Sequence, residues 1–276
     1  MSSVAELLAL SVLPLAEARI LLGCVLRAER AWIIAHECDA VPDALAQQAE
    51  AFFARRRSGE PIAYLTGERE FYGLPLNVTS NVLIPRPETE LVVEQMLSLI
   101  AGRKAPKVLD LGTGSGAIAV AIAQARPDAQ VWATDISAEA LAIASGNALR
   151  HAVAVRLVQG DWFEGLDGER FDVIASNPPY VAEGDPHLWQ GDLRFEPRAA
   201  LVGGPDGMDC IRTIAGGART HLAQNGWLLL EHGYDQGPAC VRLLVGLGYT
   251  SVIDAQDLSG LPRVCKGRFD APPSSG

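Results

Sequence analysis

Hydrophobic residues recur at helical spacing in the first part of the chain. Four of them are separated by three, four and three positions, which places them on one helix face: Leu15, Ala18, Leu22 and Val25. The ranges 31–36 and 43–57 are two further helical segments, with a turn between them that contains proline. We therefore predict a small helical domain over residues 1–66.

A different pattern follows over residues 67–84. The stretches EREFYG and LPLNVTS are short strand candidates on either side of Gly73, so this region is predicted to be a β-hairpin linker. Pro87 then suits the first turn of a helix that carries Leu91 and Met96, because proline is tolerated at the start of a helix. The second domain is placed at residues 85–276.

Strands alternate with helices after Lys107. The strand candidates are KVLDLG, AQVWATD, VRLVQGD, FDVIASNP and GWLLLEHG, and helical patterns cover 117–126, 138–150 and 208–223. This alternation predicts an α/β fold with a doubly wound, mainly parallel sheet. The last two strand candidates, GYTSVIDAQD and RVCKGRF, have a connection too short for a parallel crossover, so they are predicted to be antiparallel. The Pro- and Ser-rich end, 271–276, is expected to be frayed.

Composition narrows the function classes. The 276 residues carry a net charge of −10 with a pI near 5.0, which argues against binding of duplex nucleic acid through its phosphates. No apolar run approaches the roughly 20 residues that span a bilayer, and Glu6 and Glu17 interrupt the apolar start, so neither a membrane segment nor a signal peptide is predicted. Five cysteines without CxxC spacing favour reduced thiols in the cytoplasm, and the histidines have no metal-ligand spacing.

A glycine-rich loop follows the first strand of the predicted sheet. Gly112, Gly114 and Gly116 allow the backbone to turn tightly and to approach a ligand closely. The helix behind them offers free N–H groups, and Asp135, at the end of the next strand, suits the two hydroxyls of a ribose. Strand, loop, helix and carboxylate together predict a nucleoside-containing cofactor.

Two cofactors fit this loop. Gly112, Gly114 and Ala117 satisfy the loose dinucleotide pattern of NAD-binding proteins. S-adenosylmethionine is the alternative, and Asp110 favours it, because a carboxylate there can pair with the amino group of the methionine half. The same carboxylate would repel a pyrophosphate.

The tetrapeptide Asn177-Pro178-Pro179-Tyr180 follows the fourth strand of the predicted sheet and should face the same crevice. Asn177 offers a side-chain carbonyl and Pro178 a backbone carbonyl on a chain with restricted φ, so the pair can accept both hydrogens of an –NH₂ group. Tyr180 can cover the flat group that carries this nitrogen. Such positioning prepares a poorly nucleophilic nitrogen for attack on a sulfonium methyl, and no side-chain general base is predicted.

Asp161 and Trp162 follow the third strand of the sheet. By position, Asp161 can accept a hydrogen bond from an adenine amino group, and Trp162 offers an apolar wall. An acidic cap beside a core aromatic residue explains the pair nearly as well.

Taken together, these residues resemble those of the class I, seven-stranded S-adenosylmethionine-dependent methyltransferases. More narrowly, the chain is similar to the HemK-type family of peptide chain release factor glutamine N5-methyltransferases. The matching segments span most of the chain: GEREFYGLPL, LIPRPETE, VLDLGTGSGAIA, DWF, SNPPY, QGDLRFEP and LLLEHG. The connector Leu-Ser-Gly-Leu-Pro before the last strand departs from the more polar one common in the family.

The resemblance implies a helical domain that helps to dock a release factor, followed by a seven-stranded catalytic domain. It places the cofactor among Gly112, Thr113, Gly114, Ser115, Gly116, Asp135 and Trp162. It also implies that residues 177–180 hold the glutamine of the Gly-Gly-Gln loop of a release factor. Arg86, Glu88 and Glu90 lie in a matching segment without an assigned chemistry, and helix capping is at least as good an explanation for them.

Two other functions fit parts of this pattern. A DNA adenine N6-methyltransferase would use the same tetrapeptide to hold the amino group of a flipped base, but it would need a basic target-recognition surface. An NAD-dependent oxidoreductase would use the glycine loop, but it leaves Asp110 and the tetrapeptide without a role.

Overall fold

The computed structural model of the protein describes residues 2–270; the segment 271–276, expected to be frayed, lies outside the described residues. The chain forms two compact units. The helical unit contains residues 2–68 together with Trp189–Phe195. The other unit, which we call the catalytic unit after the predicted catalytic domain, contains Arg69–Leu188 and residues 196–270.

The helical unit is built from helices that bury one face each. Leu22, Phe53 and Ile33 are among its fully or almost fully buried side chains, whereas Leu15, at the start of its helix, is half exposed. A serine caps the first helix: Ser3 accepts the N–H of Glu6 and its own N–H is accepted by the Glu6 carboxylate. The helices are α1 (Val4–Leu10), α2 (Leu15–Leu26), α3 (Arg30–Ala35), α4 (Asp43–Arg57) and α5 (Ile62–Thr66).

The predicted hairpin forms a two-stranded sheet of β1 (Glu68–Phe71) and β2 (Leu74–Asn77). Except for Glu68, the hairpin belongs to the catalytic unit, because Phe71 and Leu76 are buried in the core of that unit. The predicted boundaries at residues 66 and 84 set the hairpin apart as a linker, whereas this division includes nearly all of it in the catalytic unit. The segment 189–195 also differs, because the sequence pattern assigns it to the catalytic domain and the structure groups it with the helical unit.

The catalytic unit contains the seven-stranded sheet. Its strands lie in the order β5-β4-β3-β6-β7-β9-β8. The first five in this order run parallel, and β9 is antiparallel to both of its neighbours, as the short connection before it predicts. The strands are β3 (Lys107–Leu111), β4 (Gln130–Asp135), β5 (Val155–Gln159), β6 (Phe171–Ser176), β7 (Leu222–Glu231), β8 (Thr250–Gln256) and β9 (Pro262–Phe269).

Helices cover both faces of this sheet. Alternate residues of β3 point to opposite sides, so that Val108 belongs to one hydrophobic cluster and Leu109 to the other. The first cluster is covered by α6 (Glu90–Ile100), α7 (Ala117–Ala125) and α8 (Ala138–Arg150), and the second by α9 (Asp209–His221) and α10 (Gly237–Gly246). A 3-10 turn, Pro87–Thr89, leads directly into α6.

Two features of the catalytic unit were not predicted. Helix α10 begins with Gly237 and Pro238, a pair typical of turns, yet proline is accommodated in the first helical turn. Strand β7 begins at Leu222 instead of Gly226, and an irregularity in its pairing with β6 accommodates the extra residues.

Among the helices of residues 2–270, none combines the length and the apolar character that crossing a bilayer requires. The five cysteines are free thiols, two of them buried. The cytoplasmic location stays a prediction.

Candidate active site

A cavity of about 630 Å³ lies within the catalytic unit, where β3, β4 and β6 end at their carboxyl termini. Its wall contains ten of the predicted site residues: Asp110, Gly112, Thr113, Gly114, Ser115, Asp135, Asp161, Trp162, Asn177 and Pro179. Three other predicted residues, Gly116, Pro178 and Tyr180, lie outside the wall. The sequence pattern therefore brings both predicted halves of the site to one cavity.

The glycine loop depends on backbone conformations that favour glycine. Gly112 and Gly116 have φ values of +67° and +83°. A Cβ atom at Gly112 would lie 3.3 Å from the ring of Trp162, and one at Gly116 would lie 3.0 Å from the Cβ atom of Ala144. Gly116 thus has a structural role at the beginning of α7, which explains why it is absent from the cavity wall.

Asp110 is a buried carboxylate with one unpaired oxygen. Its Oδ2 accepts the Thr113 hydroxyl at 2.6 Å and the Ala119 N–H at 3.3 Å. Its Oδ1 is buried and has no hydrogen-bond partner among the described residues. Burial raises the pKa of Asp110 to about 7, because the charged form loses its solvation. A cationic ligand group at Oδ1 would supply the missing partner.

Asp135 ends β4 with both carboxylate oxygens engaged by the backbone. Oδ2 accepts the N–H of Gly114 at 2.8 Å, and Oδ1 accepts the N–H of Ser137 at 2.9 Å. Each oxygen keeps a second lone pair for a ligand hydroxyl. The carboxylate is therefore fixed in orientation at the cavity wall, as a ribose-binding group requires.

Asp161 and Trp162 both line the cavity. Trp162 has a φ of +50°, and its carbonyl accepts the Thr134 hydroxyl at 3.0 Å. This bond joins the loop after β5 to β4 and keeps the indole over Gly112. Trp162 thus lines the cavity with its indole near Gly112. Its role as an apolar wall for the cofactor and the contact of Asp161 with an adenine both stay predictions.

Asn177 is held by a residue of the distant segment 87–89. Its Nδ2 donates to the Thr89 hydroxyl at 2.9 Å, and its carbonyl oxygen has no hydrogen-bond partner among the described residues. Thr89 is buried, and its own N–H is fixed by the carbonyl of Arg86 in the 3-10 turn. The amide of Asn177 is thus oriented with its accepting end available, which is the arrangement that binding of an –NH₂ group needs.

The backbone after Asn177 is clamped by a second glycine-rich loop. A Cβ atom on Gly203 would lie 2.3 Å from the carbonyl oxygen of Pro179, and one on Gly207 would lie 2.2 Å from that of Tyr180. Gln236 donates to the same Tyr180 carbonyl at 2.9 Å. These contacts fix the backbone of Pro179 and Tyr180. The sequence Gly-Gly-Pro-Asp-Gly at 203–207 is the signal that could have indicated this loop.

Tyr180 turns toward the end of β7. Its hydroxyl donates to Oε1 of Glu231 at 3.1 Å. Burial and the Glu231 charge raise the pKa of Tyr180 above its usual range. The stacking of Tyr180 on a substrate amide stays a prediction.

The described residues contain no group of three or more His, Cys, Asp or Glu side chains that could hold a metal ion.

Comparison with known proteins finds relatives along most of the chain. Residues 3–67 match the PrmC N-terminal domain, and residues 87–191 match the Methyltransferase small domain. A release factor glutamine methyltransferase from Bordetella pertussis is 50% identical over 97% of this chain and 99% of its own length. The Escherichia coli release factor glutamine methyltransferase is 45% identical over 93% of this chain and 92% of its own.

The chain belongs to the release factor glutamine methyltransferase family. Among solved structures, it is similar to a methyltransferase from Pyrococcus furiosus, with a TM-score of 0.56 and 22% identity over 79% of this chain and 97% of that one. The Thermus thermophilus 16S rRNA N2 G1207 methyltransferase, solved with AdoMet and guanosine, has the same TM-score at 19% identity, over 73% of this chain and 49% of its own. These two likenesses concern the fold alone.

As a member of this methyltransferase family, the chain uses S-adenosylmethionine, and the unpaired oxygen of Asp110 fits that cofactor. Of the two cofactors that suit the glycine loop, NAD is therefore excluded.

Two charged residues of the segment 83–90 also have partners. Arg86 forms an ion pair with the buried carboxylate of Glu196, and Glu90 accepts the N–H of Tyr72 at 3.0 Å. Glu90 therefore links α6 to the hairpin, a role that sequence reasoning missed, as it missed those of Thr89, Glu196 and Glu231. All four lie in segments that match the family, but their partners are more than 15 positions away.

Proposed function

We propose that this methyltransferase acts on the side-chain amide nitrogen of the glutamine in the Gly-Gly-Gln loop of peptide chain release factors. The observation that carries the proposal is the orientation of Asn177, whose Nδ2 is engaged by Thr89 while its carbonyl oxygen remains available at the cavity wall. A carboxamide –NH₂ is the complement of that oxygen. The names of the curated relatives give the same substrate class.

The residues proposed to hold the cofactor divide by chemistry. Oδ1 of Asp110 would accept a hydrogen bond from the amino group of the cofactor, and Asp135 would accept hydrogen bonds from the ribose hydroxyls of the cofactor. Trp162 would pack against the apolar parts of the cofactor. Gly112, Thr113, Gly114 and Ser115 form the wall between these groups. When bound, S-adenosylmethionine supplies a methyl group on a positively charged sulfur.

On the substrate side, Asn177 Oδ1 and the backbone carbonyl of Pro178 are proposed to accept the two N–H hydrogens. The amide lone pair is otherwise delocalised, so fixing both hydrogens orients the nitrogen. An ordinary hydrogen bond contributes only about 0.5–1.5 kcal/mol, whereas correct positioning lowers a barrier by about 7–11 kcal/mol. Positioning therefore carries most of the proposed rate acceleration, with no general base assigned.

The proposed partner is a protein and not a nucleic acid. A net charge of −10 repels the phosphate backbone of nucleic acids. An adenine in DNA is therefore the weaker alternative substrate. We assign release-factor docking to the helical unit because residues 3–67 match the PrmC N-terminal domain. A cytoplasmic location suits such a substrate.

The proposal is tested by incubating the protein with radiolabelled S-adenosylmethionine and a purified, unmodified release factor, followed by peptide mapping. We expect label on the glutamine of the Gly-Gly-Gln peptide, and none when that glutamine is replaced by glutamate. Duplex DNA at low salt is the second acceptor to test. Label on DNA, or on the release factor outside that glutamine, would contradict the proposal.

A further inference from the structure

The end of β7 places a buried carboxylate beside the substrate-binding tetrapeptide. Ser176 on β6 pairs with Leu230 on β7, so Asn177 and Glu231 follow at neighbouring positions. Glu231 is 1% exposed, although carboxylates are rarely buried without a function or a partner. The proposed methyl transfer does not use it directly.

Thr89 connects this carboxylate to Asn177. Because the Thr89 oxygen accepts from Asn177 Nδ2, its hydroxyl hydrogen remains free to be donated elsewhere. Oε2 of Glu231 is buried and has no hydrogen-bond partner among the described residues. The Thr89 hydroxyl lies close enough to this carboxylate to lower its pKa by favouring the charged form. Tyr180, at the other end of the tetrapeptide, also donates to Glu231.

We propose that Thr89 and Glu231 are positioning residues for methyl transfer. Ionised Glu231 accepts hydrogen bonds from the Thr89 and Tyr180 hydroxyls, so that Thr89 presents only an acceptor to Asn177 and holds the Asn177 carbonyl oxygen toward the substrate amide. This inference rests on the proposed function for the nature of the acceptor. It adds that Asn177 is oriented by a chain of three residues that reaches β7. The bond from Asn177 to Thr89 is present in the structure, and the bond from Thr89 to the unpaired Oε2 of Glu231 is the inferred one.

The direction of these hydrogen bonds depends on the charge of Glu231. An ionised carboxylate only accepts, whereas a protonated one must donate and competes for the Thr89 oxygen. Burial raises the pKa of Glu231 to about 7, with nearby Glu88 raising it and Arg263 on β9 lowering it. Protonation near neutral pH should therefore release the Asn177 amide from its orientation.

The first test compares Thr89→Val with Thr89→Ser. Valine has the shape of threonine without the hydroxyl, and serine keeps the hydroxyl. With saturating cofactor, we expect Thr89→Val to lower kcat for release-factor methylation by ~10- to 100-fold, because Asn177 Nδ2 loses its acceptor. Thr89→Ser should stay within ~3-fold of the wild type. The Kd for the cofactor, measured by calorimetry, should change by less than ~2-fold in both.

Thr213→Val is the matched control, since Thr213 lies on the exposed face of α9 and only donates to the carbonyl of Asp209. Undiminished kcat in Thr89→Val, a loss in Thr89→Ser as large as in Thr89→Val, or a loss of cofactor binding in proportion to kcat would each overturn the inference. Failure of the wild type to label the glutamine would instead refute the proposed function.

The second test uses Glu231→Gln, which covers the case in which Thr89→Val does not fold. For the wild type, kcat at saturating cofactor and substrate should rise between about pH 6 and pH 8, as Glu231 ionises. The variant should have a lower kcat without that rise. A variant with the pH profile of the wild type would overturn the inference.

Discussion

Arg86 and Glu196 form an ion pair across 110 positions of the sequence, and the Glu196 side chain is fully buried. Glu196 also accepts the N–H of Ile84 at 3.2 Å. The pair therefore fastens the segment before α6 to the segment after the tetrapeptide. Leu83, Pro85 and Pro197, next to these groups, line the cavity. The ion pair thus holds two sides of the active site together.

Replacing Arg86 by alanine should destabilise the protein. Glu196 would keep a buried charge without its cationic partner, and breaking such a pair costs about 3–5 kcal/mol. Because the Arg86 side chain is partly exposed, we expect a loss at the lower end of this range. Urea unfolding measures it, and the double variant Arg86→Met/Glu196→Gln serves as the control. We expect the double variant to recover most of the loss; equal stability of wild type and Arg86→Ala would contradict this account.

Asn177 and Asp135 should have separable effects. Asn177→Ala should reduce methyl transfer at least ~100-fold while the cofactor Kd stays near that of the wild type, because the residue positions only the substrate. Asp135→Ala should weaken cofactor binding by ~10-fold or more, because the ribose hydroxyls lose a charged acceptor. Calorimetry and the methylation assay distinguish the two. Near-normal turnover of Asn177→Ala would refute the positioning argument.

Stability should depend on pH through Asp110. Its pKa is about 7 in the folded, cofactor-free protein and near 3.8 when unfolded, so the folded state binds more protons between these values. The free energy of unfolding should therefore fall as the pH rises from about 4 to about 7. Glu231 contributes with the same sign.

Asp110→Asn isolates this contribution. At pH 8 the variant no longer buries a charge, so its Tm without cofactor should exceed that of the wild type. Each 1 kcal/mol corresponds to about 2–4 °C for a protein of this size class. Its cofactor affinity should fall, since the amino group loses its anionic partner. Thermal scans at pH 5 and pH 8 test both points: a Tm difference that is the same at the two pH values would rule out the titration of Asp110 as the cause.

Gly203→Ala should damage the active site without any change in catalytic groups. Its Cβ atom would lie 2.3 Å from the Pro179 carbonyl oxygen, so the tetrapeptide would have to move. We expect a loss of kcat of ~10-fold or more. Gly216→Ala is the matched control, because no atom lies within 4 Å of the added Cβ in α9. That substitution should stabilise the protein by about 0.5–1 kcal/mol. Equal activity of the two variants would contradict the clamp.

Local patterns predicted most of the fold. The helix from Asp43 to Arg57 and the antiparallel last strand pair are confirmed because spacing of apolar residues and length of connections act within a few residues. Helix α10 escaped prediction because its first two residues have the composition of a turn. The assignment of residues 189–195 to the helical unit depends on contacts with distant residues, which no local pattern reveals.

In the candidate site, too, local patterns could be predicted and long-range contacts could not. The glycine loop and Asn177 could be predicted because each follows a buried strand directly, and the ends of parallel strands meet at one edge. Thr89 and Glu231 could not, since their importance arises from hydrogen bonds between segments separated by 51 to 88 positions. A lone Thr in a turn and a lone Glu at a strand end carry no local sign of such partners.

The segment 189–195 belongs to the helical unit, although it lies in the sequence between two parts of the catalytic unit. Within the helical unit, Asp192 accepts from Arg56 at 3.1 Å, and Arg194 donates to the carbonyl of Ser58. The chain thus leaves the catalytic unit after Leu188 and re-enters it at Glu196, the partner of Arg86. Removing the first 68 residues would therefore take away the partners of Asp192 and Arg194 while leaving both of these residues in the shortened chain.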